Sequence, residues 1–302
     1  MPAVSDSVWS AQDTSPGEIE AALRRLIAER HHENEGYVPA RALNLVCVVD
    51  REWSGEIANR LRGVGRYHAS RTVVCAVEPG RTTIDARATV SSEINPRPGE
   101  FALMRELIVL SVGSRHLEGL AAIVDPLVVT DLATVVWSPH GHPEAVDALT
   151  DTSGGGASLA QVVLLDSVDE PEPADALQRV CGLAERAYVV DLAWLRSTPW
   201  RERVAAAFDP PAWRGELRTL CKVSVRHRSD STVSGLLLLG WLCSRLGWDP
   251  APLRRQGELL RGRARVRRGE VELRLEPVEA MSVRGLSGIE LTSAGGGMLA
   301  LE

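Results

Sequence analysis

Aromatic residues are scarce in this chain: Phe, Tyr and Trp together make up 4% of its 302 residues, with Phe 2, Tyr 3 and Trp 8. Lysine is scarcer still. Lys222 is the single lysine among 34 Lys and Arg residues, a bias that reads as a GC-rich genome rather than a phosphate-binding device. The five cysteines, Cys47, Cys75, Cys181, Cys221 and Cys243, are scattered and form no C-x-x-C pair. That spacing argues against a zinc ribbon or dithiol switch and fits a reduced, cytoplasmic setting. No apolar run approaches the roughly 20 residues that cross a bilayer as a helix. The start of the chain lacks the basic-then-apolar pattern of a secretion signal. The formal net charge of -6 gives no general attraction to nucleic acid or an anionic membrane.

What is present reads as layered α/β structure. Ser15-Pro16-Gly17-Glu18 is a capping box with Pro at the first helical position, and Ile19, Leu23, Leu26 and Ile27 follow as one apolar stripe. The run 43–49, apolar but for Asn44, predicts a strand covered on both faces. A helix with Trp53, Ile57 and Leu61 on one face follows. Segments 72–77 and 83–90, joined by Pro79-Gly80, predict a hairpin. Strands are expected at 107–112 and 133–137, with a helix face of Leu117, Leu120, Ala121 and Val124 between them. After the Gly/Ser-rich stretch 151–158 the pattern restarts: strand 161–165, helix 174–184, a strand at Val189-Val190, two helices, strand 221–225, and helix 232–246 stopped by Gly247. The expected fold is two layered α/β domains, 1–150 and 159–302, with mixed sheets including antiparallel hairpins and 151–158 as linker.

Motifs with chemistry are few. The glycines 154–156 precede a strand rather than a helix, so they read as linker and not as a phosphate loop. No full G-x-G-x-x-G occurs, and Gly63-Val-Gly65 is too short to be one. His140-Gly-His142 follows a strand end, where α/β proteins place ligands, but only Glu144 is nearby and a metal needs three or four ligands. His68 and His116 are lone. No G-x-S-x-G or H-E-x-x-H signature appears, so neither catalytic residues nor a metal or cofactor are expected. Seven arginines lie between Arg254 and Arg268. A hairpin turning at Arg268-Gly269 would pair Arg267 with Glu270 and Arg265 with Glu272, leaving Val266, Ala264, Val271 and Leu273 on the other face. That accounts for the arginines better than nucleic-acid binding does.

Residues 191–203 concentrate what the rest lacks: two Trp and three Arg. Thr198-Pro199 reads as a helix N-cap and first position, with Trp200, Val204, Ala207 and Phe208 on its buried face. Asp209-Pro210 starts a second helix with Trp213, Leu217 and Leu220 inward. Trp194 and Arg196, in the connection before the cap, have no such structural role and are of the kind that anchors interfaces.

Four segments together resemble the OpcA family, bacterial glucose-6-phosphate dehydrogenase assembly proteins. They are Arg41-Ala-Leu-Asn-Leu, Tyr67-His-Ala-Ser-Arg-Thr72, Asp131-Leu-Ala-Thr-Val-Val-Trp137, and Asp191-Leu-Ala-Trp-Leu-Arg-Ser-Thr-Pro-Trp-Arg-Glu202 followed by Phe208-Asp-Pro-Pro211. The resemblance runs from about residue 38 to about residue 250. Ala133 departs from the Pro expected in the family. The resemblance implies a non-catalytic partner that assembles or activates glucose-6-phosphate dehydrogenase in the oxidative pentose phosphate pathway. The candidate contacts are Trp194, Arg196, Arg201 and Arg71, of which Arg71 could equally pair inside the fold. The rival expectation is an enzyme or sensor binding a sugar phosphate or nucleotide in a strand-end crevice near residues 137–142.

Overall fold

The computed structural model describes residues 4–64, 69–93, 101–139, 141–153, 157–267 and 269–302. The chain forms two compact units, one from Met1–Leu165 with Gly182–Val189 and the other from Asp166–Cys181 with Val190–Glu302. In chain order the first part holds β1 (Val4–Ala11), α1 (Pro16–Glu33), β2 (Tyr37–Pro39), β3 (Leu43–Asp50), α2 (Ser54–Val64), β4 (Ser70–Val77), β5 (Asp85–Glu93), β6 (Ala102–Val112), α3 (Leu120–Val124), β7 (Thr134–Trp137), α4 (Pro143–Thr150), β8 (Val162–Leu165), α5 (Pro173–Ala184) and β9 (Tyr188–Asp191). There follow α6 (Leu192–Arg196), α7 (Thr198–Ala207), α8 (Pro211–Arg214), β10 (Leu220–Arg228), α9 (Thr232–Leu246), β11 (Asp249–Pro250), β12 (Arg254–Gln256), β13 (Leu259–Val266), β14 (Gly269–Val278), β15 (Leu286–Ser293) and β16 (Met298–Leu301).

The first sheet runs β1-β5-β6-β4-β3-β7-β8-β9, with β2 added alongside β6. Strands β6, β4, β3, β7 and β8 are parallel neighbours in that order. Numbered by their own succession they read 3-2-1-4-5, the order of a doubly wound dinucleotide fold. β3 sits at the centre because its run of Val and Cys is apolar on both sides. Val46 and Val48 face one core with α1, while Cys47 and Val49 face a second core with Ile57 and Leu61 of α2. The capping box at the start of α1 forms as read, with the Ser15 backbone N–H donating to Glu18 at 2.9 Å. Those hydrogen bonds hold the Glu18 carboxyl below its usual pKa.

Three expectations fail here. β4 and β5 form no hairpin, because β6 lies between them: β4 pairs in parallel with β3 and β6, and β5 pairs antiparallel with β6 and β1. β4 is buried from Arg71 to Val77, so it requires a neighbour on both edges and helices on both faces. The division at 151–158 does not hold either. β8 hydrogen-bonds to β7 through Val136↔Val163, which carries the first unit on to Leu165. Composition marks a Gly/Ser-rich stretch, but ladder bonding decides where a strand belongs; Gly154, Gly155 and Gly156 lie outside the described residues. Finally, Trp53 precedes α2 in a short 3-10 turn and is exposed, leaving Ile57 and Leu61 as the buried face.

The second unit is built on a sheet ordered β11-β13-β14-β10-β15-β16, with β12 alongside β13. β10 is central, parallel to β14 and antiparallel to β15. One face buries Val223, Val225, Leu273, Leu275, Ile289 and Leu291 against Leu238, Leu239 and Leu242 of α9. The helix spans the expected residues and ends at Gly247, whose φ of 65° is a left-handed cap. The other face is polar, with Lys222, Arg226, Glu272, Arg274 and Glu290 alternating along the strands. The hairpin of β13 and β14 forms two residues out of the expected register: Val266 pairs with Gly269, Arg265 with Glu270 and Arg263 with Glu272. A slip of two leaves each side chain on its expected face, so the apolar pattern alone does not choose between the registers. Gly269, with φ 100°, opens β14 instead of sitting in the turn.

Candidate functional site

At the carboxyl ends of the parallel strands, the chain leaves β3 and β7 for helices on opposite faces of the sheet, α2 and α4, the position where this fold binds ligands. A dinucleotide site requires G-x-G-x-x-G between the first strand and its helix, so that the backbone approaches a pyrophosphate at the helix N-terminus. Here the corresponding stretch is Asp50-Arg-Glu52-Trp-Ser-Gly55. Only the third glycine is present, and carboxylates stand at the first two positions. Arg51 is tied to Glu78 at 2.7 Å and to the Ser54 hydroxyl at 3.2 Å. Across the switch point, His142 Nε2 lies 3.1 Å from Asp50 Oδ1. His142 holds a left-handed backbone, φ 59°, at the N-cap of α4. Ser138 bonds back to the carbonyls of Val48 and Gly141. His140 lies outside the described residues, and no group of three or more metal-ligating side chains occurs among the described ones.

At the opposite, amino end of the strands lies a buried ion network. Arg71 is only 4% exposed. Its Nε donates to Glu106 at 2.6 Å, and its Nη1 donates both to Glu20 at 3.0 Å and to the Leu127 carbonyl at 3.1 Å. Arg41 donates to the second oxygen of Glu106, also at 2.6 Å. Arg71 and Glu106 are register partners on β4 and β6, which fixes the pair by backbone alone. Arg71 is therefore interior and has no surface to offer a partner. Asn44 works nearby: its amide donates to the carbonyls of Val129 and Leu132 and accepts from Val129 N–H, clamping the loop that bends at Asp131, φ 70°. The segments containing Arg41, Arg71 and Asp131 are thus folding devices. Tyr67 and His68 lie outside the described residues.

The fourth segment belongs to the second unit. Asp191 caps α6 by accepting from Ala193 N–H at 2.9 Å and also binds the Ser167 hydroxyl at 2.7 Å. Trp194 and Arg196 are helical, in contrast to the irregular connection expected. Arg196 makes a two-pronged ion pair with Asp166, at 2.7 and 2.9 Å, while its buried Nε has no acceptor. The N-cap of α7 is Ser197, not Thr198, and its hydroxyl donates to the Trp194 carbonyl at 2.7 Å. Arg201 lies 3.5 Å above the Trp194 ring centroid and donates to Thr198 and Ser197. Burial pushes the Arg201 guanidinium below its ordinary pKa.

Trp194, Arg196 and Arg201 are thus brought together, each half-buried and each with an intramolecular partner. Asp166, the partner of Arg196, lies 30 positions earlier and had no local signal. What the segment leaves to solvent is Leu195, 49% exposed, with Pro199, Glu202 and Arg203. Trp213 is also exposed, at 51%, contrary to its expected place inside α8.

These features define a class: an α/β protein whose first unit keeps the strand order of a dinucleotide fold but carries carboxylates in the phosphate turn. Comparison with known proteins gives the family. Residues 62–181 match the model for the glucose-6-phosphate dehydrogenase subunit N-terminal domain, and residues 187–291 the model for the corresponding C-terminal domain. The chain belongs to the OpcA family. Relatives named OxPP cycle protein OpcA are 28% identical over 174 residues in Nostoc punctiforme and 26% identical over 243 residues in a Synechocystis strain. These alignments cover 57% and 80% of this chain but 37% and 50% of the relatives, so the chain spans half or less of their length. Among solved structures it is similar to a glucose-6-phosphate 1-dehydrogenase from Mycobacterium avium, 10% identical, covering 85% of this chain and 72% of that one, at a TM-score of 0.49. That likeness is too loose to carry an inference.

Proposed function

We propose that this chain is a non-catalytic assembly factor that binds glucose-6-phosphate dehydrogenase and favours its active oligomeric state. The family supplies the partner. The observation that carries the non-catalytic reading is the turn after β3. Asp50 and Glu52 place negative charge at the N-terminal approach to α2, where a dinucleotide fold receives phosphate, and His142 holds Asp50 there. The same carboxylates weigh against a sugar-phosphate or nucleotide site at this edge. Activation requires tighter binding to the active state than to the inactive one.

The docking surface proposed is the exposed side of residues 192–203. Trp194, Arg196 and Arg201 form a rigid base that presents Leu195 and Arg203. Dehydrogenase activity is measured across glucose 6-phosphate concentrations with and without the chain, and the mixture is run on a sizing column. Co-elution with raised activity or lowered KM is expected. Leu195→Asp, at an exposed position, should weaken the complex at least about tenfold while the chain stays folded. Trp194→Ala should do the same by removing the support of Arg201. No co-elution and unchanged kinetics would overturn the assembly reading; co-elution unaffected by both substitutions would move the surface elsewhere.

A further inference from the structure

We infer that the polar face of the second sheet carries an oxyanion site, built on Arg254, Arg261 and Arg274, that takes a phosphate group. The ladder places Arg254 of β12 opposite Arg261 of β13, and Arg261 opposite Arg274 of β14. Residues opposite one another in a ladder put their side chains on the same face, about 5 Å apart. Three arginine side chains therefore leave the sheet in one row. Like charges directly opposite destabilise a sheet unless something neutralises them.

The rest of this face shows how neutralisation is ordinarily done. Arg263 bonds Glu270, Lys222 meets Glu290, Arg226 reaches Glu302, and Arg274 itself donates to Glu272 at 2.7 Å. Arg254 and Arg261 break the pattern. Neither makes an ion pair among the described residues, and the Nε of Arg261 is buried without an acceptor. Glu272 acts on Arg261 only at a distance, and it is already spent on Arg274. Two arginines without an ion pair among the described residues, set opposite one another by the strand ladder, match a dianion with several oxygens. Each planar fork can donate in parallel to a pair of phosphate oxygens, which a chloride cannot accept. Glu272, Glu276 and Glu290 act on Arg274 at one end of the row, which favours a small phosphate at the Arg254–Arg261 end over a polyanion tracking the sheet.

The chain is titrated with inorganic phosphate and, separately, with glycerol phosphate as a monoester, at constant ionic strength against chloride. Binding is followed by calorimetry and by the midpoint of thermal unfolding. Saturable binding is expected, with Arg261→Gln and Arg254→Gln each about tenfold weaker. Arg267→Gln, an exposed arginine outside the row, should bind as the parent does. Without phosphate, Arg261→Gln should fold at least as stably as the parent, since it removes a like-charged neighbour. Arg254 is exposed, so its variant keeps the test valid whatever Arg261→Gln does to folding. Equal affinity for both probes means that the phosphate group alone is recognised; tighter monoester binding means that the organic part is held as well, and either supports the site. No saturable response beyond chloride, or a response retained in both row variants, overturns it.

Discussion

Arg71 and Arg196 are both arginines in family-bearing segments, yet burial gives them different work. Arg71 is enclosed with Glu106, whose side chain is 1% exposed, and the pair is held by register, so its loss strands a charge in the core. Glu106→Gln should destabilise the first unit by about 3 kcal/mol, because Arg71 and Arg41 both lose their carboxylate. Urea unfolding measures this; an unchanged midpoint would show that the network contributes nothing. Arg196 keeps a third of its side chain in solvent and its partner Asp166 is local to the fold but distant in sequence. That is why the sequence leaves Arg196 without a partner, and leaves Arg71 open between a surface contact and an internal pair. His227 gives a pH signature. It is 2% exposed, and burial pushes its pKa below the ordinary value despite hydrogen bonding to the Arg228 carbonyl. The folded state then binds fewer protons than the unfolded one near pH 6. Its contribution is full above the unfolded pKa of about 6.5 and is lost as pH falls through the lowered folded value. The acid-side slope of stability against pH should shrink in His227→Gln, as read by unfolding at pH 7 and pH 5. An unaltered slope would mean that the imidazole titrates alike in both states.

The elements themselves were largely legible. α1 and α9 follow from capping residues and periodicity, and the apolar runs of β3, β7 and β8 follow from double-sided burial. Pairing was not legible. β4 and β5 are adjacent in sequence and joined by Pro79-Gly80, but β4 is buried from Arg71 to Val77 and takes a parallel neighbour on each edge. The β13–β14 register slipped by two for a related reason: faces repeat every two residues, so patterning fixes parity and not position. Close approach between elements is likewise a tertiary property. A Cβ at Gly235 of α9 would stand 2.7 Å from Leu275 and 3.2 Å from the His227 ring. Gly235→Ala should therefore destabilise the second unit by about 1–3 kcal/mol through overpacking, even though alanine favours helix. A thermal midpoint equal to or above that of the parent would mean that the strand side chains move aside at little cost.

At the scale of the whole molecule, strand order carries the most consequence. The 3-2-1-4-5 succession of parallel strands places the β3–α2 turn where a cofactor would lie, and the side chains there are Asp50, Arg51 and Glu52. Titrating the chain with NADPH, followed by nicotinamide fluorescence, should give no saturable change at concentrations that saturate a dehydrogenase. A saturable change would overturn the reading of this turn as closed to dinucleotides. The division into units also emerges only at this scale, since the chain enters the second unit at Asp166, returns at Gly182 and leaves again at Val190.

By itself the sequence determined the α/β class, most helices and strands, the mixed charge of the Arg-rich hairpin, and, through four short segments, the family. Those properties depend on local backbone preferences, on periodicity and on residue identity, all of which are written along the chain. Tertiary structure alone decided which strands pair, where one unit ends, that Arg71 faces Glu106 inside, and that Asp166 answers Arg196. It also decided that Arg254, Arg261 and Arg274 share a row. Each of these depends on which distant residue arrives alongside, and burial then sets whether a charge met there is a lock or a contact.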